Sequence, residues 1–120
     1  MLLAMIAEDM ALSRAMADAV ARHPECELMT QALSITTFRY VPTDLRSTIG
    51  DPETERQLDS LNRALLDRIQ KSGETFVSNA VINGRYALRA CIVNFHTTKS
   101  DVEALPETVA RIGRVCRSEL

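Results

Sequence analysis

The length, composition and charge of the chain are those of one ordinary globular domain. Its 120 residues are 46% hydrophobic and 25% charged, so the chain can bury a real core. The net charge is −2, and the few aromatic residues are not interleaved with a basic patch. The charge therefore gives no general electrostatic attraction to nucleic acid or to an acidic membrane. The 3 cysteines have no metal-ligand spacing and favour a reducing compartment, so we expect a cytoplasmic protein.

The amino-terminal segment predicts a helix rather than a membrane span or a signal peptide. It is apolar only from Met1 to Ala7 before acidic residues interrupt it. Apolar residues recur near helical spacing from Leu2 to Arg22 without glycine or proline. His23 precedes a proline and therefore ends the helix. We expect residues 1–24 to stand apart from an α+β domain over residues 25–120.

Two more helices and one further strand follow from local signals. The run at Leu33–Val41 is rich in β-branched and aromatic residues and predicts a strand. Asp51-Pro52 opens a second helix, and Gly73 stands where its carboxy-terminal cap belongs. The sequence Ser100-Asp101-Val102-Glu103 is a capping box for a last helix, in which Pro106 predicts a kink.

Asn83-Gly84 lies between two apolar runs and predicts a β-hairpin, because a type I′ turn needs a positive φ at both central residues. The fold class we expect is α+β. A small antiparallel or mixed sheet of about three strands carries two helices on one face, and the separate amino-terminal helix precedes it.

The hairpin register predicts which face of the sheet holds Arg89. Directly opposed residues share a face, so one face is apolar and suits the helices. The face opposite is half-polar and lined with small residues: Phe76, Ser78, Ala80, Ala87, Arg89, Cys91 and Val93. In one interpretation Arg89 is an exposed strand residue or pairs with a local carboxylate. In the other, its forked donors reach across an interface to a carboxylate or phosphate.

Several segments together resemble one protein family. In order, they resemble the C-terminal small domain of group II pyridoxal-phosphate-dependent decarboxylases, which act on aromatic amino acids, glutamate or 2,4-diaminobutyrate. The opening segment resembles the helix that links the large and small domains of that family. The segments are DMALSRAMADAVARHPECEL at 9–28, SITTFRYVP at 34–42, LNRALLDRIQKSG at 61–73, YALRACIVN at 86–94 and TTKSDVEAL at 97–105.

The resemblance implies the small domain of the aspartate-aminotransferase fold in a homodimeric enzyme of amino-acid and carboxylic-acid metabolism. It implies pyridoxal 5′-phosphate (PLP) in the complete enzyme and a large PLP-binding domain as partner. It also implies that Arg89 binds a substrate carboxylate. Neither Lys71 nor Lys99 has the context of the family's Schiff-base lysine. We therefore expect this chain to bind no cofactor alone and to be inactive alone, with no catalytic or metal-binding residues of its own.

A second function remains open from the residues themselves. The face around Arg89 could serve a free-standing module derived from that family, which dimerises or binds a small carboxylate. Both interpretations predict self-association, since exposed apolar faces favour contact with a partner.

Overall fold

A computed structural model describes residues 2–32, 35–72, 77–91 and 99–119, and they form three long helices against one sheet. The helices are α1 (Leu2–Arg22), α2 (Pro52–Ser72) and α3 (Lys99–Glu119). The strands are β1 (Cys26–Ala32), β2 (Ile35–Tyr40), β3 (Val77–Ile82) and β4 (Arg85–Cys91). A 3₁₀ helix spans Thr43–Thr48. The strands lie in the order β1-β2-β4-β3, and every neighbouring pair is antiparallel.

The predicted fold class is confirmed, but the number of strands was wrong, since the sheet has four and not about three. The strand missing from the prediction is β1, while β2 lies within the predicted run. Polar residues occupy much of β1, and its register shifts between Leu28 and Thr30. Such a bulge breaks the period-two alternation by which a strand is recognised in sequence. Leu33 and Ser34 lie outside the described residues.

All three helices contribute side chains to one core on one face of the sheet. α2 contacts β4 and β3, α1 contacts β1 and β2, and α3 contacts both other helices. The second half of α1, around Met16 and Val20, is part of this core. The largest fully buried apolar side chains are Met16, Val20, Phe38, Tyr40, Val41, Leu58, Leu61, Leu65, Ile69 and Leu88.

The hairpin has the predicted turn and register. Asn83 and Gly84 adopt φ values of 53° and 78°, as a type I′ turn requires. Ile82 pairs with Arg85, and Ser78 pairs with Arg89. The turn therefore determines which side of the sheet every residue of β4 occupies.

The helix boundaries agree closely with the local signals. α1 ends at Arg22, and α2 begins at Pro52. α3 begins at Lys99, one residue before the predicted capping box, and runs through Pro106. The predicted cap at Gly73 lies outside the described residues.

Asn62 continues the hydrogen bonding of β2 beyond the end of its pairing with β4. That pairing extends only to Phe38 opposite Leu88. At Tyr40, the Oδ1 atom of Asn62 accepts from the backbone N–H at 2.8 Å, and its Nδ2 donates to the backbone carbonyl at 3.0 Å. Nδ2 also donates to the carbonyl of Leu58 at 2.8 Å. The buried amide thus ties α2 to the end of the central strand.

Candidate functional site

Arg89 lies in the middle of the sheet, on the face opposite the helical core, which we call the free face. Its strand neighbour Leu88 is fully buried in the core, so Arg89 points to the opposite side because side chains alternate along a strand. It lies directly opposite Thr37 on one side and Ser78 on the other. The side chain of Arg89 is partly buried. The prediction that Arg89 and Ser78 are neighbours on one face is confirmed.

Arg89 lies in a row with hydroxyl side chains from the other three strands. Thr37 is buried, and its hydroxyl is hydrogen-bonded to that of Thr30 on β1. We name Thr30, Thr37, Arg89 and Ser78 the Arg89 row. A guanidinium beside hydroxyl groups is suited to bind a carboxylate, which accepts hydrogen bonds from both. The hairpin alone identified Ser78, whereas Thr37 joins the site only through the pairing of β2 with β4.

The next row of the same face carries a buried arginine that sequence reasoning missed. Glu27 lies opposite Arg39, and continuing the register of β2 and β4 places Arg39 opposite Ala87. The side chain of Arg39 is 0% exposed. The available sequence signal was an arginine inside a run of β-branched and aromatic residues that predicted a strand.

Two glutamates compensate the charge of Arg39. Its Nε donates to Oε1 of Glu27 at 2.6 Å. Its Nη1 and Nη2 donate to the two carboxylate oxygens of Glu55 at 3.0 and 3.2 Å. Glu55 Oε1 also forms an ion pair with Nε of Arg85, at 3.0 Å. Arg39 and Arg85 are therefore matched by two carboxylates on this part of the face.

The electrostatics keep this network ionised. Hydrogen bonds from Arg39 lower the pKa of Glu55, against the opposing effect of burial. Burial works against the charge of Arg39, but the hydrogen bonds to Glu55 and Glu27 outweigh it and the pKa of Arg39 is raised.

Within the described ranges Arg89 has no hydrogen bond or ion pair to another residue, so it carries the unmatched positive charge of the face.

A second charged cluster, around Glu25, ties α3 to the sheet and has a structural role. Glu25 accepts from Nε of Arg114 at 3.1 Å and from the hydroxyl of Tyr40 at 3.0 Å. Glu107 accepts from Arg114 and contacts Nε2 of His23 at 2.7 Å. Hydrogen bonding to Arg114 lowers the pKa of Glu25, while burial raises the pKa of Tyr40.

Two surface grooves lined by described residues do not include Arg89. One of about 430 Å³ lies between the 3₁₀ helix, the first turns of α2 and Arg117. Another of about 420 Å³ is lined by Glu25, Tyr40 and Arg114. Their charged walls are already paired, as in the ion pair of Arg117 with Asp44. These grooves carry no separate chemistry.

In the part of the chain that the structure describes, no group of three or more histidine, cysteine, aspartate or glutamate side chains could hold a metal ion. None of the helices there is long and apolar enough to cross a membrane.

No model of a protein family matches the chain. Tyrosine decarboxylase 2 of Arabidopsis thaliana is 32% identical to it over 82 residues, which are 68% of this chain and 14% of that protein. Aromatic-L-amino-acid decarboxylase of Bacillus atrophaeus is 30% identical over 101 residues, which are 78% of this chain and 19% of that protein. The chain thus spans less than a fifth of each of these relatives.

The fold also matches part of solved decarboxylase structures. The structure of Oryza sativa TDC with PLP matches 92% of this chain and 23% of its own length, with a TM-score of 0.76 and 24% sequence identity. A likeness at this level of identity shows the fold. By sequence and by fold, the chain resembles the C-terminal small domain of the group II pyridoxal-phosphate-dependent amino-acid decarboxylases.

Proposed function

We propose that the chain is the C-terminal domain of a PLP-dependent amino-acid decarboxylase, a lyase, and that it completes the substrate pocket through Arg89. One observation carries the proposal: Arg89 is the unmatched arginine of the free sheet face within the described residues, flanked there by Thr37 and Ser78. The names of the two curated relatives support the reaction class. The substrate amino acid would be chosen largely by residues outside this chain.

The described residues do not fit a PLP site. A PLP enzyme holds its cofactor as a Schiff base on a lysine. Lys71 is 77% exposed at the end of α2, and its Nζ pairs with Asp67 at 2.9 Å. Lys99 is the first residue of α3. We therefore assign PLP and its lysine to a large domain that would be the main partner of this chain, and we expect the chain alone to be inactive.

Residues 1–24 would then be the helix that links the two domains, and residues 25–120 the small domain itself. The packing of Met16 and Val20 in the core fits a link that holds the small domain in a defined position. We also propose that the complete enzyme is a cytoplasmic homodimer, to which this domain contributes contacts.

A chimaera tests the proposal. The 101-residue matching segment of the Bacillus atrophaeus relative would be replaced by this chain. Release of CO₂ from aromatic amino acids and from glutamate would then be measured with added PLP. We expect an active chimaera, and an isolated chain that neither releases CO₂ nor develops Schiff-base absorbance. A chimaera that folds and binds PLP but has no activity would count against a role in completing the pocket.

The alternative is a free-standing module that self-associates or binds a small carboxylate. The same unmatched arginine favours it, since a carboxylate could bind without any large domain. Size-exclusion chromatography with light scattering, and titration of the isolated chain with acetate, test the alternative. A monodisperse monomer that binds no carboxylate would remove the alternative.

A further inference from the structure

Three arginines of the described strands lie on the free face, and Glu55 pairs with two of them. Arg39, Arg85 and Arg89 share this face because the register of β2 and β4 puts them on one side. Glu55 accepts two hydrogen bonds from Arg39 and forms an ion pair with Arg85. Glu27 adds a second carboxylate next to Arg39. The formal charges of Arg39 and Arg85 therefore cancel against those of the two glutamates.

The position of Glu55 is set from outside the sheet. The residue lies in the first turn of α2, and its Oε2 accepts from the backbone N–H of Gly50 at 3.1 Å. Gly50 has a φ of 104°, a conformation that glycine adopts without steric cost. The backbone N–H of residue 55 in turn donates to the carbonyl of Asp51 at 2.9 Å. The loop and the helix thus fix the carboxylate where both arginines reach it.

We propose that Glu55 is a positioning residue that confines anion binding on this face to Arg89. The inference rests on the proposed substrate-binding role of Arg89. With Glu55 in place, the described residues of the face offer one unpaired guanidinium, which suits a ligand with a single carboxylate at that end. Without it, Arg39 would keep the carboxylate of Glu27, whereas the half-exposed Arg85 would have none, so the face would carry a second unmatched positive charge. Two such charges suit a dicarboxylate.

The experiment compares acetate with glutarate as probes. Each would be titrated into the ¹⁵N-labelled chain, as wild type and as Glu55→Gln, while backbone amide shifts are followed. In the wild type we expect both probes to shift Ser78 and Arg89 with similar affinity. In Glu55→Gln we expect glutarate to bind about tenfold tighter than acetate, with new shifts at Arg85, because charge-assisted hydrogen bonds are the strong ones.

Two more variants make the result decisive. Glu27→Gln leaves the pairs of Glu55 intact and releases only one bond of Arg39, so it should raise the preference for glutarate by a smaller factor. It also keeps the test valid if Glu55→Gln does not fold. Glu53→Gln is the matched control, because this glutamate lies in the same turn but pairs with Arg56. In Glu53→Gln we expect the ratio of glutarate to acetate affinity to equal that of the wild type.

The possible failures are distinguishable. If neither probe shifts Arg89 in the wild type, the proposed binding role of Arg89 fails. If both probes bind at Arg89 but folded Glu55→Gln and Glu27→Gln keep the wild-type ratio of affinities, the positioning role of Glu55 is overturned and the role of Arg89 stands. A merely structural role of Glu55 would lower the unfolding temperature without changing that ratio.

Discussion

Gly113 of α3 packs directly against the ring of Tyr40 at the end of β2. A Cβ atom on residue 113 would lie 2.6 Å from Cδ2 and 2.7 Å from Cε2 of that ring. Tyr40 is 1% exposed, and its hydroxyl is held by Glu25. The ring therefore has little freedom to move away, and the glycine sets how closely α3 approaches the sheet.

Gly113→Ala should destabilise the domain although alanine favours a helix. Overpacking lowers the free energy of unfolding by about 1–3 kcal/mol, whereas the higher helix propensity of alanine raises it by about 1 kcal/mol. Urea unfolding followed by circular dichroism measures the net change. The exposed position Ala104, changed to glycine, reports the propensity contribution alone in the same helix. A Gly113→Ala variant more stable than the wild type would show that Tyr40 yields.

Asn62→Leu should be more damaging than its conservative volume suggests. The leucine would leave the backbone N–H and carbonyl of Tyr40 without their partner on α2. Each buried polar group left unsatisfied costs about 1–3 kcal/mol. We expect a loss of about 2–5 kcal/mol in the free energy of unfolding, measured with urea. Asn79→Leu serves as the control, since Asn79 is exposed on the edge strand.

Stability should fall in acid partly through Glu25. Hydrogen bonds from Arg114 and Tyr40, with a smaller electrostatic contribution from His23, lower the folded-state pKa of Glu25 below the ordinary value of 4.5. A lowered pKa adds stability that is complete above pH 4.5 and is lost as the pH falls through the folded-state value.

Unfolding measured between neutral pH and pH 3 should therefore show a shallower acid loss in Glu25→Gln than in the wild type. Glu103→Gln, at an exposed position of α3, is the comparison. Equal slopes in the wild type and Glu25→Gln would contradict the assignment.

Arg89→Ala in the chimaera should raise KM more than it lowers kcat. Hydrogen bonds to a charged group contribute about 1.5–3 kcal/mol, which corresponds to roughly a 10- to 100-fold loss of affinity. Arg89→Lys keeps the charge but not the fork, so its KM should lie between the two. Arg63→Ala is the control, because Arg63 lies over the ring of Tyr86 on the helix side. An unchanged KM in Arg89→Ala would remove the substrate-binding role.

Local signals in the sequence predicted what depends on neighbours along the chain. The Asn83-Gly84 turn determined the register of the hairpin and hence the side on which Arg89 lies. The bounds of α1 followed from periodicity and from Pro24. β1 was missed because its bulge and its polar residues hide the alternation.

The pairing of Arg39 with Glu55 could not be predicted in the same way. The two residues meet because α2 folds back onto the sheet, and no periodicity specifies which carboxylate a buried arginine selects. Thr37 joined the Arg89 row for a related reason, since the pairing of β2 with β4 brings together distant parts of the chain. Tertiary contacts therefore decide which charges of the face are matched.

The strand order β1-β2-β4-β3 has a consequence for how the domain folds. β1 with β2, and β3 with β4, are each formed by segments close together in the chain, whereas β2 and β4 are separated by the whole of α2 and β3. Closing the long segment between β2 and β4 loses chain entropy before the contacts between these strands form. The docking of the two local pairs should therefore limit the folding rate. Substitutions at the Thr36–Ala90 seam should slow folding, whereas those in the hairpin turn should act mainly before this step.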